Sequence, residues 1–328
     1  MKKTFWLIIL ILPLIFSQCN KKNKKSLPGV KGAAYELTLV IDKKLWKDTV
    51  GKLIRHTYYE EVDALPQPEP QFSVTHIPPD AFTSIFRSHR NILKIEITNK
   101  EKSGVFFHKD VWAFPQYYVL IRAKSKQEFI SLYKKHEKQI FAFFYNGEQK
   151  RLLETYKKYP NKKVIEKIEK EHKISILIPK GYSLDVDSSD FLWISHETQK
   201  EMLGIFIYYY PYTDTNTFTP EYLIGKRNEF LKKYVPGPTP GSYMTTESLV
   251  PVSFSEANDK DGSYYVEMKG LWKVENDYMG GPFISITKLD TIHNRVVTAE
   301  GWVYYPSEKK RNFVRQLEII CKTLSFIK

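Results

Sequence analysis

Apolar and polar residues alternate in short runs through the first part of the chain, and segments of helical periodicity lie between them. The pattern predicts a strand at 35–41, a helix at 42–58 and an extended loop at 65–70. That loop fits neither regular element because its three prolines lack backbone donors and restrict the residues before them. Further strands are predicted at 72–77, 92–98 and 117–123, with a short helix at 79–87.

Helical periodicity dominates the segment from 125 to 172. Ser125 and Glu128 have the spacing of a capping box, in which each side chain bonds the backbone N–H of the other residue. They predict a helix to about Tyr145, which Gly147 ends before a second helix begins. The Lys- and Glu-rich segment 161–172 predicts one further helix.

Strands follow one another in the second half of the chain. Three are predicted at 174–178, 191–195 and 203–209, and four more at 249–254, 264–274, 283–289 and 296–304. Thr219, Pro220 and Glu221 combine a helix cap, a favoured first proline and an acid, so they predict a helix to Tyr234. A last helix is predicted at 307–324.

This order of elements predicts an α+β protein of two domains, each a mainly antiparallel sheet packed with helices. The first domain is expected at 34–172 and the second, an α+β sandwich, at 173–328.

The N-terminus has the pattern of an export signal. Two lysines precede an apolar stretch at 5–16, and a serine lies close before Cys19. This arrangement resembles the lipobox of bacterial lipoproteins, which implies a signal peptide at 1–18 and acyl chains such as palmitate on Cys19. The alternative is an uncleaved membrane anchor, which is disfavoured because 12 apolar residues fall short of the roughly 20 that cross a bilayer.

Cysteine usage agrees with this interpretation. Cys19 and Cys321 are the two cysteines of the chain, so a lipidated Cys19 leaves one thiol and no internal disulfide. Cys321 adjoins the apolar face of the last predicted helix, which favours a buried small residue over a nucleophile. The polar, basic segment 19–33 predicts a lipidated N-terminus followed by a flexible tether.

A net charge of +13 taken alone indicates polyanion binding, but the excess of basic residues lies in the first half of the chain. Residues 1–170 contain 32 Lys and Arg against 17 Asp and Glu, whereas residues 171–328 contain 18 against 20. Many of the lysines lie in predicted helices with glutamates between them, which is typical of a solvated helix face. The alternative is that these lysines attract anionic lipid or an anionic envelope polymer. The export signal disfavours nucleic acid as a partner.

Familiar catalytic and cofactor motifs are missing from the sequence. The eight histidines are never closer than 13 residues, so no pair has zinc-ligand spacing on one helix turn. Asp185, Asp187 and Asp190 approach a calcium loop, but the glycine at its sixth position is missing, which favours a turn-forming acidic loop. We therefore expect no metal, no cofactor and no catalytic residue that a motif identifies, while a site assembled from distant residues stays open.

Seven polar residues form a candidate binding groove. They follow prolines in rigid loops, precede a strand or lie on the last helix: Gln67, Arg90, Asn91, Gln116, Arg311, Arg315 and Glu318. Rigidly held loops often carry binding residues, so the hypothesis is that some of these side chains converge on a ligand or partner. The alternative is that Arg315 and Glu318 form a surface ion pair and that the two glutamines cap loop backbone.

Short distinctive motifs are spread over the chain. They are Leu65-Pro66-Gln67-Pro68-Glu69-Pro70, Arg90-Asn91-Ile92-Leu93, Ala113-Phe114-Pro115-Gln116, Gly280-Gly281-Pro282-Phe283, Gly301-Trp302-Val303-Tyr304, Lys310-Arg311 and Arg315-Gln316-Leu317-Glu318. Together they resemble a family of Bacteroidetes lipoproteins described only as a domain of unknown function, which implies an envelope lipoprotein and no particular activity. The second half is also similar to Mog1/PsbP-type sandwiches, and architecture of this kind does not imply a function.

These observations predict a lipid-anchored protein of the cell envelope. The leading hypothesis is a non-enzymatic binding or scaffolding module for a partner protein or envelope polymer. The alternative is a hydrolase of envelope glycan or lipid, which requires a deep cleft with convergent ionisable groups. Surface-exported Bacteroidetes lipoproteins resemble one another in carrying acidic residues just after the cysteine. This tether has none, so we expect a periplasm-facing protein.

Overall fold

The computed structural model describes residues 27–259 and 262–328, which form two α+β domains and confirm the predicted fold class. The predicted signal peptide at 1–18, Cys19 and the first part of the predicted tether lie outside these residues. Within the two described ranges, none of the helices combines the length and the apolar character that crossing a bilayer requires.

The first domain packs its helices on a five-stranded sheet. Its strands are β1 (Glu36–Val40), β2 (Ser73–Ile77), β3 (Asn91–Ile97), β4 (Gly104–Lys109) and β5 (Tyr117–Ala123). Its helices are α1 (Lys43–Lys47), α2 (Thr49–Tyr58), α3 (Ser84–Arg87) and α4 (Lys126–Lys158). The strands lie side by side in the order β2-β1-β3-β5-β4.

This first sheet is mainly parallel, so the prediction of a mainly antiparallel sheet is wrong for this domain. β1 pairs in parallel with β2 and β3, β3 pairs in parallel with β5, and β4 runs antiparallel to β5. Helical segments connect β1 to β2 and β2 to β3, and such crossovers return the chain for a parallel pairing. The residues at 37–41 are all buried, and a run that is buried on both faces is typical of parallel strands.

Helix α4 is continuous over 33 residues, and the predicted break at Gly147 is wrong. Gly147 lies inside the helix against the ring of Tyr117, which a Cβ at position 147 would approach to 2.8 Å. The missing side chain therefore lets α4 pack closely on β5. Phe129, Ile140 and Phe144 are fully buried in the same core.

The second domain contains α6 (Pro220–Tyr234) and α7 (Arg311–Cys321), and α5 (Lys162–His172) packs on its core. Its strands are β6 (Ile174–Ser175), β7 (Ser183–Asp187), β8 (Phe191–Glu197), β9 (Met202–Pro211), β10 (Tyr243–Thr246), β11 (Ser253–Asn258), β12 (Tyr264–Glu275), β13 (Gly280–Asp290), β14 (Arg295–Tyr304) and β15 (Ser325–Phe326). The main sheet has the order β10-β12-β13-β14-β9-β8-β7, with β11 also beside β12.

The main sheet of the second domain is antiparallel, as predicted. Helix α7 covers one face, where Leu317 lies on Gly301 so closely that a Cβ at position 301 would be 2.4 Å from the Leu317 Cβ. Helix α5 packs on the same core through Val164 and Ile168. The predicted domain boundary at 172/173 stays a prediction, and the packing of α5 associates this helix with the second domain.

Helix α6 covers the other face and is fastened to it by a fully buried ion pair. Arg227 donates from Nε and Nη2 to the two oxygens of Glu300 at 2.9 and 2.7 Å, and both side chains are 0% exposed. The Arg227 guanidinium also lies 3.9 Å from the centroid of the Phe283 ring. Burial raises the pKa of the Glu300 carboxyl, although the positive charge of Arg227 opposes this.

Arg227→Met is expected to destabilise the second domain by about 3–5 kcal/mol, because it leaves the Glu300 carboxylate buried without its partner. Denaturant unfolding followed by tryptophan fluorescence measures this loss, since Trp193, Trp272 and Trp302 lie in the strands of this domain. The matched control adds Glu300→Leu, and removing both charges is expected to recover most of the stability. A single variant as stable as the wild type would contradict this view of the pair.

Candidate functional site

Four of the seven residues of the predicted groove, Gln67, Arg311, Arg315 and Glu318, have hydrogen-bond partners across the boundary between the domains, where the ring of Tyr35 is also buried. Tyr35 directly precedes β1 and is 1% exposed. The Arg315 guanidinium lies 4.0 Å from the centroid of its ring, and the Gln149 amide donates to its hydroxyl oxygen at 2.9 Å. We call the contacts that join 67–73 of the first domain to 310–315 of the second domain the domain seam.

The seam begins where a carboxylate of the first domain caps a helix of the second. Glu69 Oε1 accepts the backbone N–H groups of Lys310 and Arg311 at 2.5 and 3.1 Å. N–H groups at the start of a helix have no partner inside it, and a carboxylate there also meets the positive end of the helix dipole. Gln67 accepts from the Lys310 ammonium at 3.0 Å. Sequence reasoning selected Gln67 and missed Glu69, although proline flanks both residues.

Two arginines on the first turns of α7 hold the rest of the loop. Arg311 donates to the Pro70 carbonyl, and Arg315 donates to the backbone and side-chain oxygens of Gln71 at 2.8 and 2.6 Å. Both arginines are buried, and burial lowers the pKa of Arg311 to about 10. A guanidinium suits this position because its rigid fork of donors reaches several oxygens at once.

Glu318 is buried on the same helix, and its partners differ from those expected. It accepts from the Tyr145 hydroxyl at 3.3 Å and from the Lys322 ammonium at 2.5 Å. Lys322 also lies 2.8 Å from Glu267. The alternative of a surface ion pair between Arg315 and Glu318 is therefore wrong, because both residues are buried and have other partners.

Arg90 and Asn91 contact a second buried group of charges, which lies within the first domain beside Tyr35. Glu148 Oε1 accepts from Asn91 Nδ2 and from Arg151 Nη2, each at 2.6 Å, and lies 3.2 Å from Arg90 Nε. Tyr35, Arg90, Glu148 and Arg151 line a pocket of about 60 Å³, which we call the Arg90 pocket. Sequence reasoning missed Glu148 and Arg151, whose three-residue spacing on one helix face was the available signal.

Gln116 lies apart from the seam and braces a loop, as its alternative interpretation predicted. Its Nε2 donates to the carbonyls of Arg87 and His89 at 2.6 and 2.7 Å, and its Oε1 accepts the backbone N–H of Trp112 at 3.0 Å. These bonds tie the loop before β5 to the turn before β3.

A second hollow, larger than the Arg90 pocket, lies at the carboxyl ends of β1 and β2. It has a volume of about 400 Å³ and is lined by Asp42, Lys43, Lys44, Pro78, Pro79 and Asp80. We call it the strand-end hollow. The chain leaves β1 towards β2 on one side and leaves β3 towards β4 on the other, so the connections diverge between β1 and β3, and β1 borders the hollow. Parallel sheets commonly bind ligands outside the carboxyl ends of strands at such a divergence.

His172, at the end of α5, lies between a carboxylate and a phenol. Its Nε2 is 2.8 Å from Asp187 Oδ1, and its Nδ1 is 2.8 Å from the Tyr209 hydroxyl. The Tyr209 hydroxyl donates to the Ser189 carbonyl, so it is already used as a donor. These bonds fasten α5 to the edge strand β7 and to β9.

Glu171, His172 and Asp187 offer three possible metal-ligand atoms within 4.8 Å of one another. Lys167 Nζ lies 2.5 Å from Asp187 and 3.9 Å from Glu171, so an ammonium group already brings positive charge to the two carboxylates. Burial works to raise the pKa of Asp187, but hydrogen bonds from Lys167 and His172 outweigh it and hold that pKa below its usual value. We therefore do not assign Glu171, His172 and Asp187 as a metal site.

Two families match the chain, and both are domains of unknown function. The Domain of unknown function DUF8532 matches residues 30–157, and the Domain of unknown function DUF4837 matches residues 161–323. The matched ranges meet between α4 and α5. The expected resemblance to a domain of unknown function is therefore confirmed, for two domains rather than one. None of the curated proteins matches the chain.

Part of the chain is similar to solved structures of Mog1, as expected from the order of elements. The crystal structure of the Ran-binding protein Mog1p of Saccharomyces cerevisiae has 8% identity and a TM-score of 0.32, over 48% of this chain and 91% of Mog1p. A mutant of the protein Mog1 has 9% identity and a TM-score of 0.30, over 48% of this chain and 92% of its own. Similarity at this level carries no argument about function.

Glu69→Ala is expected to open the first turn of α7 and to cost about 1–2 kcal/mol of stability, because two backbone N–H groups lose a charged acceptor. Hydrogen–deuterium exchange of peptides covering 308–316 measures the opening, and denaturant unfolding measures the loss. Glu69→Gln keeps an oxygen acceptor, so a smaller effect is expected. The control is Glu60→Ala, whose side chain is exposed. Equal exchange in the Glu69→Ala and Glu60→Ala variants would show that the cap contributes nothing.

Proposed function

We propose that the protein is a lipid-anchored cell-envelope protein that acts as a non-enzymatic binding or scaffolding module for a partner protein or envelope polymer. The observation that carries this proposal is the domain seam. Charged side chains from α7 reach oxygens at Pro70 and Gln71, and Glu69 reaches back to α7. Interfaces between domains commonly permit relative motion, and buried, directional contacts such as these oppose it. The contacts hold the two domains in one relative geometry, which suits a scaffold.

The ionisable groups of the site support a structural role. Glu148 is shared among Arg90, Asn91 and Arg151, so its charge is already compensated inside the molecule. Cys321 is 0% exposed, and burial raises the pKa of its thiol. A buried thiol with a raised pKa is a poor nucleophile, in keeping with its predicted role as a small core residue.

The strand-end hollow is the feature of the first domain that best suits a partner. It is open and wide, and its wall combines two lysines and two aspartates with two adjacent prolines of restricted conformation. An open wall with charges of both signs and two conformationally restricted prolines suits an extended polar chain, such as a peptide segment of a protein or an envelope polymer. Its place outside the carboxyl ends of parallel strands supports the same assignment.

Cys19→Ala is expected to move the protein from the membrane fraction of the producing bacterium to the soluble fraction, because the acyl chains are the proposed attachment. Fractionation and incorporation of labelled palmitate measure the change. The matched control is Cys321→Ala, which removes the other cysteine and is expected to leave both readouts unchanged. A Cys19→Ala protein that still incorporates palmitate would exclude this anchor.

A photo-crosslinking amino acid in place of Lys43, at the strand-end hollow, is expected to give discrete adducts in intact envelopes. The same amino acid in place of Lys200, an exposed residue in a turn of the second domain, is the control and is expected to give none of them. Adding Asp80→Lys is expected to weaken the adducts, since it changes the charge of the wall. The binding proposal fails at this hollow if Lys43 and Lys200 positions give the same products or if position 43 gives none.

A further inference from the structure

Four large apolar side chains are exposed together at the end of the first domain where the described chain begins. The exposed fractions are 41% for Leu27, 64% for Ile85, 38% for Val111 and 60% for Phe114. We call these four residues the Phe114 surface. Single exposed apolar residues are common, whereas a group of them in one place marks an interaction site.

Backbone hydrogen bonds hold the parts of this surface together. The Phe114 N–H donates to the Pro28 carbonyl at 2.8 Å, and the Phe114 carbonyl accepts from the Val30 N–H at 3.2 Å. The Lys31 N–H donates to the Ser88 carbonyl at 2.8 Å, which places the chain start beside the turn that follows Ile85. The bonds of Gln116 to the carbonyls of Arg87 and His89 fix the Phe114 loop to the same turn. The exposure therefore belongs to an ordered surface.

Exposed basic residues lie on the segments that carry the Phe114 surface. Lys31, Arg87 and Lys109 are exposed on the same three segments. Asp110, the acid in the Phe114 loop, accepts the backbone N–H of Gln116 at 2.9 Å and so has an internal partner. In the sequence, no Asp or Glu occurs from 19 to 31. Apolar and basic side chains on the same segments suit the surface of an anionic bilayer.

The distance to the proposed lipid anchor is limited by covalent geometry. Eight residue steps separate Cys19 from Leu27, and a fully extended chain spans at most about 3.6 Å per residue, so the two lie within roughly 29 Å. A protein anchored through Cys19 therefore holds the Phe114 surface close to the bilayer. The strand-end hollow lies at the opposite end of β1, because Lys31 and Tyr35 precede this strand and Lys43 follows it.

We propose that the Phe114 surface rests on the anionic phospholipid surface of the membrane, an inference that depends on the proposed anchor at Cys19. The four apolar side chains enter the interfacial region, and Lys31, Arg87 and Lys109 meet lipid phosphates. Lipid anchors gain strength from a second membrane signal of this kind. The arrangement orients the first domain so that the strand-end hollow faces away from the bilayer.

The test uses the full chain, purified from membranes and reconstituted into vesicles that contain phosphatidylglycerol. Ile85→Cys and, separately, Phe114→Cys are labelled with a polarity-sensitive fluorophore, and Leu249→Cys in the second domain is the control, since Leu249 is 87% exposed. Cys321 is 0% exposed and is expected not to react. On these vesicles we expect a blue shift and a several-fold loss of quenching by aqueous iodide at positions 85 and 114, and neither change at 249.

Charge is tested in the same assay. Phosphatidylcholine vesicles, or Lys31→Glu combined with Lys109→Glu, are expected to reduce the protection, whereas Lys200→Glu is the matched control and is expected to have no effect. The proposal is overturned if positions 85 and 114 stay as accessible as 249 in vesicle-bound protein. Protection that rises with protein concentration without vesicles also overturns it, because a second copy of the chain then covers the surface.

The wild-type chain, without an introduced cysteine, separates failure of this inference from failure of the proposed anchor. An acylated Cys19 does not react with the fluorophore, so wild-type protein is expected to remain unlabelled. Labelled wild-type protein contradicts the anchor itself. Unlabelled wild type with unprotected positions 85 and 114 contradicts the membrane contact alone.

Discussion

The architecture depends on α7 being buried on two sides at once. Its apolar side, with Leu317 and Ile320, completes the core of the second domain, while Arg311 and Arg315 are buried against the first domain. Burying charge is costly unless each charge has a partner, so the helix can occupy this position only because Glu69, Pro70 and Gln71 supply oxygens. The core of the second domain therefore depends on the contacts of the domain seam.

The sequence predicted most elements and the antiparallel second sheet, because alternation with period two is a direct sign of strands with two different faces. It did not predict the parallel pairing of the first sheet. The direction of pairing depends on which strand a returning segment meets, and local periodicity does not record this. Gly147 shows the same limit, since a glycine that breaks an isolated helix is tolerated where the ring of Tyr117 needs its space.

Sequence reasoning identified polar residues that lie at the domain boundary and missed the partners that explain them. Gln67 and Arg315 stood out through neighbouring prolines and helix position. Glu69, Glu148 and Arg151 carry equally ordinary local signals, and only tertiary structure brings Glu148 to Arg90, 58 positions earlier in the chain. That the seven residues bind a ligand stays a prediction. Gln116 illustrates the difficulty, because its side chain hydrogen-bonds the backbone of neighbouring loops and has a structural role without a ligand.

The domain seam also limits the order in which the parts of the protein can fold. Glu69 and Lys310 are 241 positions apart, so the contact between them cannot form until almost the whole chain has been delivered. During synthesis from the N-terminus, the first domain can fold early. The loop at 65–71 and the ring of Tyr35 then remain exposed until α7 has been synthesised and packs on them. Closing so long a loop is slow, and contacts of this separation dominate folding times. Truncation that removes α7 therefore destabilises both domains. It also exposes the first-domain side of the seam, which is then a surface that a chaperone can bind.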